Sequence, residues 1–123
     1  MEVVITEWAL QAYLDLKKGG VFTRQEYRSV IRPDVERLKL FPNDPAFQKS
    51  KFWGPATDKA GNQIRHGFKM KWHQIGSGHM QLRLAVAILA AEALLCRAYV
   101  KDTTNTDKRE MAKLKLHISL ILK

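Results

Sequence analysis

Hydrophobic and polar residues alternate most regularly in IRHGFKMKWH, Ile64 to His73, where Phe68, Met70 and Trp72 fall on one side of an extended chain and Lys69, Lys71 and His73 on the other. That pattern predicts a strand with an oily face and a basic one. A turn containing glycines, IGSGHM, separates it from a second apolar run, QLRLAVAI, which carries Arg83 near its start. Upstream, Glu2–Ile5 is a short apolar opening. Thr6 is placed to cap a helix over EWALQAYLDLKK, in which Ala9, Leu10, Tyr13 and Leu14 recur at helical spacing, and Gly19-Gly20 stops it. Thr23 and Glu26 form a capping-box pattern that opens a second helix through Tyr27, Val30, Ile31, Val35 and Leu38, which Pro33 must kink or split. The prolines of Pro42–Pro45 end the helical part. A loop rich in Lys, Gly and Asp follows, with an apolar island at Phe52-Trp53 before Gly54-Pro55.

Two segments near the C-terminus read differently. In QLRLAVAILAAEALLCRAYVK, residues 81–101, the Ala and Leu content favours a buried helix, yet AAE divides the stretch into two runs of strand length that would also suit a hairpin. Periodicity leaves both open. The closing segment TTNTDKREMAKLKLHISLILK predicts a helix, because Met111, Leu114, Ile118 and Ile121 share one face after a Thr/Asn/Asp cap cluster. Its other positions hold more leucine than a solvated helix needs, so it either packs in the core or docks a partner.

At 123 residues and 46% apolar content the chain suits one domain, residues 1–123, with a core that needs neither disulfide nor metal. Its one cysteine, Cys96, sits in an apolar run, which fits a reducing compartment. MEVVITEWAL places acids where a secretory signal needs bases, and the apolar stretch ending at Cys96 falls short of the roughly 20 residues of a membrane helix, so the expected place is the cytoplasm with no membrane contact. Charge sharpens the picture. The net value is +9, with seven bases and seven acids in residues 1–45, seven against one in 46–83, and seven against four in 84–123. A basic surface concentrated in this way favours a polyanion, although a merely solvated surface or an acidic partner protein would account for it too.

Candidate chemistry gathers on the predicted strands. Paired, they would bring Lys69, Lys71, His73 and Arg83 onto one surface able to hold a phosphodiester. No acid occurs between Lys59 and Glu92, so Arg83, flanked by leucines, needs a partner from elsewhere: a distant Asp or Glu, or a ligand phosphate. By default Lys69 and Lys71 are a solvated sheet edge, His66 and His79 flank glycines near a turn, and His117 among leucine and isoleucine is a packed or boundary histidine. Four histidines without carboxylate or cysteine at ligand spacing argue against a metal. Trp8, Trp53 and Trp72 are core residues by default, with only Trp53, in a basic loop, suggestive of base stacking. No GxxxxGKT, GxGxxG or GxSxG motif is present.

The order of an opening strand, two helices, a loop ending in KFWG, strands GFKMKWH, QLRLAVAIL and LLCRAYVK, and a C-terminal segment resembles the RelE/ParE superfamily of small basic bacterial toxins. Within it the pattern is closer to the RelE, HigB and YafO type of ribosome-dependent mRNA interferase than to the gyrase-directed ParE type. The resemblance implies an α+β fold, a RelE-like curved antiparallel sheet with two N-terminal helices on one face and a C-terminal helix, and it settles residues 81–101 as a hairpin. It matches Lys69 and Lys71 to lysines of the family's second strand and Arg83 to the arginine at the scissile phosphate. Arg97, Lys101, Lys108 and Arg109 fall where the family keeps further bases, and Lys51 and Arg65 are read with them as RNA contacts. The implied activity is an endoribonuclease reaction without cofactor or metal, in which a ribose 2′-hydroxyl attacks the adjacent phosphate. Lys69, Lys71 or His73 would take the proton and Arg83 would stabilise the transition state. His117 or Tyr99 would be the acid. Several family members place a tyrosine near the C-terminus; this chain has none beyond Tyr99, so either His117 takes that role or catalysis is weak. The implied partners are mRNA on the ribosome and a cognate antitoxin protein. Two rivals stand beside this reading: a ParE-like gyrase inhibitor, and a nucleic-acid-binding or adaptor domain without chemistry.

Overall fold

The computed structural model of the chain describes residues 1–76, 80–102 and 104–123. The sequence expectation for His79 lies outside them. The fold is α+β. Strands β1 (Glu2–Ile5), β2 (Trp53–Thr57), β3 (Gln63–Ile75), β4 (Met80–Ile88) and β5 (Glu92–Val100) form one sheet in the order β1-β5-β4-β3-β2. From β2 to β5 every pairing is antiparallel. The wholly antiparallel sheet expected from the resemblance is corrected at one edge, where β1 lies parallel to β5, with Glu2 opposite Glu92 and Ile5 opposite Leu95. β1 fits there because both its faces are apolar: Val3 packs into the core on one side of the sheet and Val4 into the core on the other.

The first helix, α1 (Glu7–Lys18), starts at Thr6, whose side chain accepts from the Ala9 N–H, and ends at Gly19. The Thr23/Glu26 capping box opens α2 (Arg24–Glu26). Around Pro33 the helix divides, as its pattern predicts. Residues Tyr27–Ile31 widen into a π turn, closed by the Arg32 N–H on the Tyr27 carbonyl, and the chain continues as α3 (Arg32–Glu36) and a 3-10 turn, Arg37–Leu40. A wider turn accommodates a ring that offers no N–H and crowds the preceding carbonyls. Ala9, Ala12, Tyr13, Ile31, Val35 and Leu38 then bury against Met70, Trp72, Leu82, Leu84 and Val86 on one face of the sheet.

Residues 53–57, expected as loop, are strand β2. Trp53 is buried and packs on Phe41, Phe47 and Phe68, so the base-stacking role suggested for it is replaced by a place in the aromatic core. Gly76, after β3, has φ +64, and a Cβ there would stand 2.7 Å from the Val21 carbonyl, so only glycine fits that turn. The last helix, α4 (Thr104–Ile121), lays Met111, Leu114 and Ile118 on the sheet's second face, against Ala85, Ala87, Leu94, Cys96 and Tyr99. Burial raises the Cys96 thiol to about 11. Among the described residues no helix is long and apolar enough to cross a membrane.

Candidate functional site

α4 covers part of the second face, and beside it three strands set a polar row. The ladder places Lys71 of β3 opposite Arg83 of β4, and Arg83 opposite Tyr99 of β5; one step along, Lys69, Ala85 and Arg97 repeat the arrangement. Side chains directly opposed on one face stand about 5 Å apart at Cβ, so the cations crowd each other. Alternation along β3 is what sends Met70 and Trp72 to the core and Lys69 and Lys71 here.

Arg83 is the centre of the row and is only 4% exposed. Its guanidinium donates to Gln81 Oε1 at 2.9 Å and to the carbonyls of Leu82 and Trp72 at 3.2 and 3.5 Å. All three acceptors are neutral, and none of the ion pairs among the described residues includes Arg83. Burial lowers its pKa from the ordinary guanidinium value, against the pull of Tyr99 and Asp107. A guanidinium satisfied by dipoles alone keeps its attraction for an anion of matching geometry.

Lys71 donates to the Ser50 carbonyl at 2.7 Å. It passes over Gly54 of β2, where a Cβ would come within 3.2 Å of Nζ. Its pKa is lowered by burial first, then by the cations of Lys69, Arg83 and Lys101, with Asp107 opposing. Lys69 is differently placed: Nζ lies 3.2 Å from Asp107 Oδ2, and the two side chains are only 15% and 17% exposed. The Tyr99 hydroxyl donates to the other oxygen of the same carboxylate. Burial pushes the Asp107 carboxyl up, but the Tyr99 hydroxyl and the Lys69 ammonium outweigh it and hold the group below the usual carboxylate range. Burial and the hydrogen bond to Asp107 raise Tyr99 well above the ordinary phenol value.

The remaining candidates divide. Lys101 follows β5 and lies close enough to act on the charges of Lys71 and Asp107. Arg97 is held by Glu110 of α4 at 2.7 Å, with Lys113 3.5 Å from the same carboxylate. His73 falls in an irregular stretch of β3, between Trp72 and Ile75, and its Nε2 donates to the Lys51 carbonyl. Lys51 itself is exposed. Arg65 is exposed six residues before Lys71, about 20 Å away along an extended strand, and is not brought to the row. Lys108 lines a separate cleft of about 300 Å³ with Lys59 and Lys115, and Arg109 is exposed on α4. His117 stacks on Trp8 with ring centres 3.9 Å apart, and its Nδ1 is buried without a hydrogen-bond partner. The charges it senses are Arg97, Glu110 and Lys113, not the row of Lys71 and Arg83.

Sequence reasoning missed Asp107 and Glu110 as residues of this surface. In the sequence Asp107 is one member of a cap cluster, and nothing local announces that it reaches Lys69, 38 residues earlier. Among the described residues no group of three His, Cys, Asp or Glu side chains is placed to hold a metal ion. No protein-family model, no curated protein and no solved structure matches the chain.

Proposed function

We propose that the chain is a RelE-like endoribonuclease toxin that acts on mRNA at the ribosome in the cytoplasm, without metal or cofactor, and is neutralised by an antitoxin. The observation that carries this reading is Arg83: a nearly buried guanidinium with only neutral acceptors, between Lys71 and Tyr99 in the ladder, on the face opposite the main core. A two-sided α+β sheet with its N-terminal helices on one face also suits the family resemblance. In the reaction, neutral Lys71 takes the 2′-hydroxyl proton as the oxygen attacks the adjacent phosphorus. Arg83 stabilises the charge that grows on the phosphoryl oxygens, and as the bond from phosphorus to the 5′-oxygen breaks that oxygen takes up a proton from water, leaving a 2′,3′-cyclic phosphate.

One observation favours the binding-domain alternative. Tyr99 gives its proton to Asp107 and His117 is stacked on Trp8, so in this conformation neither candidate acid is free to serve the leaving group. Induction of the wild-type chain and of Arg83→Ala, with primer extension on a reporter mRNA, separates the readings. The nuclease reading expects growth arrest with discrete new 5′ ends, reduced by about 10²-fold or more in the variant. Arrest with intact mRNA would support the gyrase reading, and RNA binding without arrest or cleavage the binding domain.

A further inference from the structure

The carboxylate of Asp107 sits among cations. One oxygen lies 3.2 Å from Lys69 Nζ, the other accepts from Tyr99, and Lys101 adds a further cation whose charge reaches it. Arg83, the neighbour of Tyr99 in the ladder, is nearly buried, and the charges of Tyr99 and Asp107 both act on it. A phosphodiester presents what this carboxylate presents: one negative charge shared by two oxygens, each able to accept a hydrogen bond. We propose that Asp107 occupies a phosphate site formed by Lys69, Tyr99 and Arg83, and that an anionic phosphate binds by displacing it. The inference deepens the nuclease reading by placing the phosphate, and rests on that reading only for the identity of the polymer.

The helix is built for such an exchange. Asp107 lies near the start of α4, whereas the anchors of α4 come later: Glu110 on Arg97 at 2.7 Å, and Met111, Leu114 and Ile118 in the core. Moving Asp107 away breaks one ion pair and one hydrogen bond and leaves those anchors in place. The plain alternative is that Asp107 only ties the helix to the sheet. The two differ in sign, because removing a competitor tightens anion binding, whereas removing a tie does not.

The test is calorimetric titration of inorganic pyrophosphate into the full chain at low salt. Asp107→Asn is expected to bind about tenfold more tightly than wild type, and Glu110→Gln, which removes an equal charge one turn on and frees Arg97, is expected to gain distinctly less. Equal or weaker binding by Asp107→Asn, an equal gain in Glu110→Gln, or no binding by any of the three overturns the proposal. Should Asp107→Asn fail to fold, carboxyl carbon signals of the wild-type chain decide: pyrophosphate at saturation is expected to shift Asp107 and leave Glu110 unmoved, and an unmoved Asp107 overturns it. Cleavage of ribosome-bound mRNA by the same proteins reports separately. Tightened pyrophosphate binding without cleavage keeps the phosphate site and removes the nuclease reading, and Arg83-dependent cleavage without tightening does the reverse.

Discussion

On one face of the sheet Met70, Trp72, Leu82 and Leu84 are sealed in a cluster with Ala9 and Ala12 of α1 and Val35 of α3; one residue along the same strands, the other face carries Lys71 and Arg83. Both faces are largely closed to solvent, but their chemistry is opposed. Apolar side chains gain by being buried in proportion to the area removed from water, and the first face needs no further partner. Cations are penalised by the same burial, which is why the pKa values of Lys71 and Arg83 are both lowered. A fold that keeps two such groups beside each other carries a cost that an anion would relieve. The comparison teaches that burial marks stability on the first face and under α4, and latent binding at the polar row beside α4 on the second.

Substitution of neighbours on β3 tests that contrast most severely. Trp72 is buried, and its Nε1 donates to Asp34 at 2.9 Å, so Trp72→Ala is expected to cost about 3–5 kcal/mol in chemical denaturation. Lys71→Met is expected to change stability by about 1 kcal/mol or less while abolishing cleavage. If the two variants unfold alike, the second face is a core like the first and the contrast fails.

A finer test uses pH. With Lys71 as base, cleavage rises with pH as the ammonium loses its proton. Lys69→Ala removes one of the cations that lower the Lys71 pKa and is expected to move the rising limb to higher pH; Asp107→Asn removes the anion that opposes the lowering and is expected to move it to lower pH. A limb that stays put in both variants would assign the proton to another group, with His73 next in line.

The smallest effect is expected at the edge of the second face, where His117 meets Trp8. Burial, then Arg97, hold its pKa below the ordinary imidazole value, with Glu110 opposing. The unfolded chain therefore takes up a proton near pH 6.5 that the folded chain resists. The contribution to stability is complete above that pH and is lost as pH falls through the lower folded value. Thermal unfolding of His117→Phe, measured from neutral to mildly acidic pH, is expected to show a flatter decline than wild type. An unchanged slope would move the dependence to other groups.

Much of the frame could be read from local pattern. Thr6, the Thr23/Glu26 box and the alternation of Phe68, Met70 and Trp72 each act within a few residues, and each is where the pattern puts it. Residues 81–101 resisted because Leu82 to Ala87 are buried without a break, so β4 shows no alternation and looks like a core helix until the family resemblance makes it a hairpin. β2 was hidden by Gly54 and Pro55, which read as loop residues; Pro55 is tolerated because β2 is an edge strand, paired only with β3. Lys69, Lys71 and Arg83 were legible as neighbours on one face because their spacing and the lack of nearby acids are local facts. Asp107 was not, because its meaning depends on where α4 lands.

The parallel pairing of β1 also has a consequence for synthesis. Its partner residues are Glu92 to Leu95, so β1 has nothing to pair with until a strand about 90 residues further along has been made. During translation the consecutive hairpins of β2, β3 and β4 can zip up from short-range contacts, while the N-terminus waits through a loop closure spanning most of the polypeptide. The last event in completing the sheet is then the capture of β1 by β5, and a nascent chain stalled before β5 would expose one ragged edge of an unfinished sheet.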